Sequence, residues 1–212
     1  MDINLLVGGP QENYPADIFQ TKKNWVGADY GAVTLCEHDI RPLLAIGDFD
    51  SSTIREQFLV SVLSQKVITA KPEKDETDTE LCLRLIEQAF NPSQITIYGA
   101  TGGRLDHLLA NFFCLLRPDF AKIMPKVKLV DKNNVVRFFK PGHYTIKKIP
   151  GMKYLAFVPM GKVAGFNLPD EKYQLKDAAF EQVVSLASNE FILDEAHFDF
   201  KSGNMCVIWS KD

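Results

Sequence analysis

The period of apolar and polar positions changes near the middle of the chain. Before that point, short apolar runs (INLLV from Ile3, NWVGAD from Asn24, LLAIGDFD from Leu43, KVITA from Lys66 and QITIYG from Gln94) alternate with segments whose apolar residues recur every three or four positions. The short runs read as buried strands and the longer period as helices, here over residues 31–36, 51–63, 78–90 and 105–116. Leu81, Cys82, Leu85, Ile86 and Ala89 form one helical stripe, and Leu105, Leu108, Leu109, Phe112 and Leu116 another. Strands alternating with helices predict an α/β domain, a mostly parallel sheet with helices on both faces.

Beyond residue 125 the helical period is lost. VKLV, NVVRFF, HYTIKK, KYLAFVP, HFDFK and MCVIWS follow one another, separated by Gly, Pro and Asn, in the rhythm of an all-β unit. Lys201-Ser202-Gly203-Asn204 lies between the last two runs and reads as a hairpin turn. Two domains are expected, 1–125 and 126–212, with the boundary falling somewhere in residues 122–132. No internal repeat or low-complexity tract interrupts either half.

Composition narrows the partners. Of 212 residues, 46% are hydrophobic and 24% charged, which excludes compositional disorder. A net charge of -3, from 24 Lys and Arg against 27 Asp and Glu, supplies no basic field for nucleic acid. Cys36, Cys82, Cys114 and Cys206 form no CxxC pair, so buried thiols in a reducing compartment are expected rather than zinc or disulfides. No apolar run reaches the ~18 residues of a membrane span. A cytoplasmic protein without a membrane partner is the expectation.

Three predicted strands end in loops that carry chemistry: GDFDSS from Gly47, KPEKDETDTE from Lys71 and GATGGRLDH from Gly99. In open parallel sheets ligands bind beyond the carboxyl ends of the strands, so these loops would converge on one edge. Asp48 and Asp50, two residues apart on an extended segment, would lie side by side, and two like charges that close call for a cation. A simple helix cap by Asp or Ser51 accounts for less than the full motif. Thr77-x-x-Glu80 is a capping box, and Asp75 and Asp78 suit a first helical turn. Asp78 also continues the stripe of its helix, so its carboxylate should face the sheet. Gly102 and Gly103, followed by Arg104, Asp106 and His107, offer backbone amides and a guanidinium to phosphate, and Gly8 and Gly9 after the first strand allow close backbone approach. Carboxylates, glycines and an arginine together suit a nucleotide triphosphate with Mg²⁺, a hard cation that takes oxygen ligands. Neither GxxxxGK[ST] nor GxGxxG occurs.

In order and spacing these loops resemble those of the thiamine pyrophosphokinase (thiamine diphosphokinase) family: Gly47-Asp48-Phe49-Asp50-Ser51, Lys74-Asp75-Glu76-Thr77-Asp78-Thr79-Glu80 and Gly99-Ala100-Thr101-Gly102-Gly103-Arg104-Leu105-Asp106-His107. An earlier GADYGA, with Asp29, and a late Ser188-Asn189-Glu190 extend the resemblance over the whole chain, with Tyr30 a departure beside Asp29. The resemblance implies a homodimer with its active site at the subunit interface, an α/β domain binding ATP and Mg²⁺, and a C-terminal β-sandwich that contributes to the thiamine pocket and to dimerisation. It makes Asp48, Asp50, Asp78 and Asp106 the catalytic and metal-site acids. Asp29, Ser51, Asp75, Thr77, Thr101, Gly102, Gly103, Arg104 and His107 fall on the ATP and phosphate side. Ser188, Asn189 and Phe191 become thiamine contacts. The implied reaction is transfer of a pyrophosphoryl group from ATP to the thiamine hydroxyl. A pterin-alcohol pyrophosphokinase, a non-catalytic nucleotide or thiamine sensor and a metal-dependent phosphohydrolase are the alternatives left open.

Overall fold

The computed structural model describes residues 1–20, 24–70 and 75–212, and the chain divides into two compact units, Met1–Lys132 and Asn133–Asp212. In the first unit the order is β1 (Asp2–Leu6), β2 (Asn24–Ala28), α1 (Tyr30–Glu37), β3 (Leu44–Gly47), α2 (Ile54–Leu63), β4 (Val67–Thr69), α3 (Asp78–Phe90), β5 (Gln94–Tyr98), α4 (Leu105–Phe113) and β6 (Val127–Val130). The strands lie in the spatial order β6-β5-β1-β2-β3-β4, every pair parallel. Successive residues Ile3 to Leu6 are all buried, which requires cover on both faces of the sheet. The α/β reading is borne out, with one shift: VKLV, grouped by its rhythm with the all-β half, pairs parallel with β5.

This order places a topological switch between β1 and β5. From β1 the chain builds outward through β2, β3 and β4, then returns to the other side of β1. Beyond the carboxyl ends of such strands the loops diverge and leave a crevice for a ligand.

The second unit contains β7 (Asn134–Phe139), β8 (Gly142–Lys147), β9 (Tyr154–Pro159), β10 (Val163–Leu168), β11 (Leu175–Phe180), β12 (Leu186–Asn189), β13 (Glu195–Phe200) and β14 (Met205–Ser210). They form two antiparallel layers, β12-β9-β14-β7 and β11-β10-β13-β8. Phe139, Phe157, Phe166, Phe198 and Trp209 join one buried cluster, as alternating inward residues of a sandwich should. Phe157 lies 5.2 Å from Phe198 and 5.6 Å from Phe166, centroid to centroid. Residues 201–204 do not close a hairpin: β13 pairs with β8, and β14 pairs with β7 and β9, so this turn carries the chain from one layer to the other. Gly203 makes the turn with φ +95, and a Cβ there would lie 2.3 Å from the Lys162 carbonyl oxygen.

Two helical stripes differ from expectation. On α3 the buried apolar residues are Cys82, Leu83 and Ile86, so the inward face is rotated from the 81/85/89 line. On α4, Leu105, Leu109 and Phe113 are exposed, and Asn111 is the buried residue. Among the described residues no helix is long and apolar enough to cross a membrane. All four cysteines are buried thiols.

Close backbone packing sets the strand ends. Gly27 in β2 meets α1 so tightly that a Cβ would fall 2.3 Å from the Ala32 Cα. Gly27→Ala is expected to destabilise the protein by about 1–3 kcal/mol, because neither backbone can yield without moving β2 or α1. Urea unfolding of the variant against the parent checks this.

Candidate active site at the carboxyl edge of the sheet

Asp29 follows β2 directly and takes φ 48, ψ -121, a left-handed backbone that a non-glycine residue adopts only when its surroundings compel it. Its N–H donates to the Ile46 carbonyl at 2.8 Å. Gly47, ending β3, passes so near that a Cβ would stand 2.9 Å from the Asp29 Cα. Asp29 is the N-cap of α1, yet its side chain caps nothing there. Instead its Oδ1 accepts the Phe49 N–H at 3.2 Å. Phe49 is itself left-handed, φ 55, with its ring buried among Ala32, Val33, Ala45 and Val60.

Asp48 and Asp50 flank this anchored ring. They come together through a turn rather than by strand alternation, since β3 ends at Gly47 and Asp50 N–H donates to Asp48 Oδ1 at 3.2 Å. Neither caps the next helix. Thr53 does that, its Oγ1 accepting the Glu56 N–H at 3.3 Å while its own N–H donates to Glu56 Oε2 at 2.6 Å. Ser51 stays exposed.

Asp78 opens α3, behind a capping box of the expected kind: Thr77 Oγ1 accepts the Glu80 N–H at 3.3 Å, and Thr77 N–H donates to Glu80 Oε2 at 2.8 Å. The Thr77 hydroxyl is thus engaged in the fold. Asp78 is half-buried and Asp75 exposed, while Lys74 of the same motif lies outside the described residues. The four acids report on one another through Asp29. Burial pushes its carboxyl above the usual range, and the charges of Asp78, Asp48 and Asp50 push it further, against the pull of the Phe49 amide.

The third loop stands apart from that cluster. Arg104 and Asp106 pair with each other, Nη2 to Oδ2 at 2.6 Å and Nε to Oδ1 at 3.2 Å, both exposed, and this pairing holds the Asp106 carboxyl below its usual range. His107 is exposed as well. The Thr101 hydroxyl donates to Asp131 Oδ2 at 2.7 Å, so a buried acid just after β6 steadies the loop. Asp131 was not singled out by sequence, although it follows its apolar strand much as Asp29 follows β2. Gly99 and Gly102 are left-handed, φ +75 and +81. A Cβ on Gly9 would lie 1.9 Å from the Gly99 oxygen, and one on Gly102 would lie 1.8 Å from Asn13 Nδ2. The loops after β1 and β5 therefore lie backbone against backbone at the switch point.

The second unit presents Ser188 exposed and left-handed, φ 62. Asn189 beside it is buried and fully engaged: Oδ1 accepts from the Tyr173 and Glu190 amides at 2.9 Å each, and Nδ2 donates to the Tyr173 carbonyl at 3.0 Å. Phe191 packs against the sandwich core and bridges Glu171. Glu171 has no exposed surface, and its Oε1 has no hydrogen-bond partner. Burial, then the Asp170 charge, push its carboxyl up to about 7, against the pull of local amides and His197.

The donor set of the first unit is all oxygen, which suits Mg²⁺. Among the described residues no three acids already surround one point. Mg²⁺ takes only one or two carboxylates and completes its octahedron with phosphate oxygens and water, so the crowded Asp48, Asp50 and Asp78 fit that demand.

An open parallel sheet with acids and glycine loops at its carboxyl edge, linked in one chain to an antiparallel sandwich, defines a two-domain protein of the α/β plus β-sandwich class. Residues 16–127 match the family model of the thiamin pyrophosphokinase catalytic domain, and residues 143–205 match that of the thiamin pyrophosphokinase vitamin B1 binding domain. Thiamine pyrophosphokinase of Bacillus subtilis (strain 168) is 35% identical over 214 residues, 99% of each chain. A solved thiamin pyrophosphokinase family protein from Enterococcus faecalis superposes with TM-score 0.95 at 38% identity, covering 100% of both chains. A solved protein from Lactobacillus plantarum gives TM-score 0.92 at 47% identity, over 100% of this chain and 99% of that one. The chain belongs to the thiamin pyrophosphokinase family, as the three loops implied, and is an enzyme.

Glu171 makes stability depend on pH. Its carboxyl titrates at about 7 in the folded protein, whereas an ordinary glutamate, as in the unfolded chain, ionises near 4.5. The stabilising contribution is therefore complete below the lower value and is lost as pH rises through the higher one. Glu171→Gln should flatten the decline in melting temperature between about pH 5 and 8 and melt above the parent at the alkaline end. Circular-dichroism melts across that range provide the check.

Proposed function

We propose that the chain transfers the pyrophosphoryl group of ATP to the hydroxyethyl oxygen of thiamine, giving thiamine diphosphate and AMP. The observation that carries this reading is the convergence of Asp48, Asp50 and Asp78 on Asp29 at the carboxyl edge of the parallel sheet. The bond formed joins the thiamine oxygen to the β-phosphorus. The bond broken joins that phosphorus to the oxygen bridging it to the α-phosphate, and this oxygen leaves with AMP. In-line geometry keeps attacking and leaving oxygens on opposite sides, so the protein contributes by positioning and charge stabilisation.

Asp48, Asp50 and Asp78 would hold Mg²⁺, which when bound draws charge from the phosphate oxygens and lowers the cost of deprotonating the alcohol. Asp50 or Asp78 takes the hydroxyl proton. Gly102 and Gly103 offer backbone amides to the phosphates, with Ser51, Asp75, Thr77, Thr101 and His107 around the same loops. Arg104 clamps phosphate oxygens, and in doing so releases Asp106 from its ion pair toward the cation. The vitamin B1 binding match over 143–205 favours thiamine over a pterin alcohol as acceptor. Ser188, Asn189 and Phe191 belong to the thiamine side, with Asn189 acting through the backbone it holds.

The protein also forms a homodimer in this reading. Its support is two uncovered apolar rows, Ile54, Phe58 and Val62 on α2 and Leu105, Leu109 and Phe113 on α4. Four buried thiols suit the reducing cytoplasm.

Purified protein mixed with ATP, Mg²⁺ and thiamine should yield thiamine diphosphate with equimolar AMP, and only while the metal is present. Chromatography of both nucleotide and vitamin tests this, and ADP with free phosphate in their place would overturn pyrophosphoryl transfer.

Asp78→Asn separates catalysis from capping. Thr77 and Glu80 keep the box intact, so the variant should melt within a few degrees of the parent while turnover falls by about 100-fold or more. Near-parental activity in that variant would remove Asp78 from the site.

A further inference from the structure

Asp50 is exposed, so the direction of its carboxylate depends on how firmly the backbone around it is held. A residue outside the acidic motifs supplies that hold. Gln57, in the first turn of α2, donates from Nε2 to the Phe49 carbonyl at 3.0 Å and to the Ser52 carbonyl at 3.1 Å. These two carbonyls bracket Asp50 and Ser51. Both partners are acceptors, so only the nitrogen end of the carboxamide can face them, and its two N–H groups are matched one to each. Gln57 is otherwise exposed, so burial of apolar surface does not explain its place.

The remaining contacts of the turn show what this brace completes. Ser52 N–H donates to the Phe49 carbonyl at 3.0 Å, which closes the turn from within. Phe49 N–H is held by Asp29 Oδ1 and Asp50 N–H by Asp48 Oδ1, each at 3.2 Å. The Phe49–Asp50 peptide thus has both its polar groups engaged, and engaged from three different elements. Phe49 has φ 55, a backbone state that a non-glycine residue keeps only where its surroundings over-determine it. Gln57 is itself fixed by the helix, its own N–H donating to the Thr53 carbonyl at 3.0 Å.

We propose that Gln57 is a positioning residue for the cation site: through the Phe49 and Ser52 carbonyls it aims Asp50 at the ion shared with Asp48 and Asp78. This rests on the reading that those acids hold Mg²⁺. Mg²⁺ demands near-ideal octahedral geometry, so an acid that swings freely binds it more weakly. Groups that orient a metal ligand without touching the metal change affinity by about 10–100-fold when removed.

Four full-length variants test the assignment, with Mn²⁺ as the probe. Its binding is followed by electron paramagnetic resonance beside an α,β-methylene analogue of ATP, whose α–β bridge cannot be cleaved. Gln57→Met keeps the stem and removes both donors. It should raise the Kd for Mn²⁺ by about tenfold, and the Mg²⁺ concentration giving half-maximal turnover by a similar factor, while the KM for thiamine and the melting temperature stay near the parent. Gln57→Glu separates aim from charge. Attraction alone would make an added acid tighten cation binding, whereas oxygens facing the two carbonyls should loosen the turn and weaken it, so tighter binding would count against Gln57. Thr53→Ala is the structural control: losing the helix cap should lower the melting temperature and leave the Kd for Mn²⁺ unchanged. An unchanged Kd in Gln57→Met would overturn the proposal, as would an equal rise in Thr53→Ala. Asp50→Asn tells the two levels apart. If it weakens Mn²⁺ binding while Gln57→Met does not, Gln57 alone is misassigned; if both are silent, the reading of Asp50 as a metal acid falls with it.

Discussion

Four carboxylates crowded at the ends of two parallel strands and the start of a helix are the constraint around which the first unit is arranged. Their mutual repulsion is visible in Asp29, whose carboxyl is raised both by burial and by the three charges facing it. Holding such a group in place calls for stabilisation from its surroundings. The means are local. Gly47 lets β3 pass against the backbone of Asp29, Asp29 holds the Phe49 amide, and the buried Phe49 ring fastens the turn that carries Asp48 and Asp50. The phenylalanine between the two aspartates is therefore an anchor. A solvated residue there would leave both acids on a loop with little to define their direction.

Much of this was legible in the chain because the site is built from short contiguous motifs. GDFDS, KDETDTE and GATGGRLDH each join a strand end to a helix start, and local turn and cap chemistry is what a sequence shows best. The capping box at Thr77 formed as read. What could not be read depends on partners distant along the chain. Asp131 reaches Thr101 across 30 positions, and Asn189 reaches Tyr173 across 16. The strands β10, β11 and β12 carry bulges and mixed burial, so their alternation is too irregular to stand out. Extended alternation correctly suggested that Asp48 and Asp50 are neighbours, but for a different geometrical reason, since the positive φ of Phe49 was hidden in an otherwise ordinary apolar residue.

In the second unit the same division of labour recurs with different chemistry. The sandwich core is made by alternation, with Phe139, Phe157, Phe166, Phe198 and Trp209 in one buried cluster. The segments 169–173 and 188–191 are held by side-chain hydrogen bonds instead, with Asp170 bound to His197 at 2.5 Å and Asn189 bound to Tyr173. Such pairing specifies one arrangement more sharply than apolar contact does, because a misplaced buried amide or carboxylate loses its partner outright. Glu171, with one oxygen already unmatched, marks how little slack that seam has.

The apolar row on α4 runs into the charged first turn of the same helix. Leu105, Leu109 and Phe113 lie along one side of the helix, and the first of them sits between Arg104 and Asp106. Each such side chain gains about 1.5–3 kcal/mol when fully buried, so leaving the row in water is costly. Any surface that covers it must also settle the first turn of α4, where Arg104 and Asp106 now hold each other in solvent. An exposed ion pair of this kind is worth little by itself and yields readily to a phosphate that binds the guanidinium more strongly. Covering α4 would then do two things at once: remove apolar surface from water, and limit the directions in which Arg104 and Asp106 can turn when the pair opens.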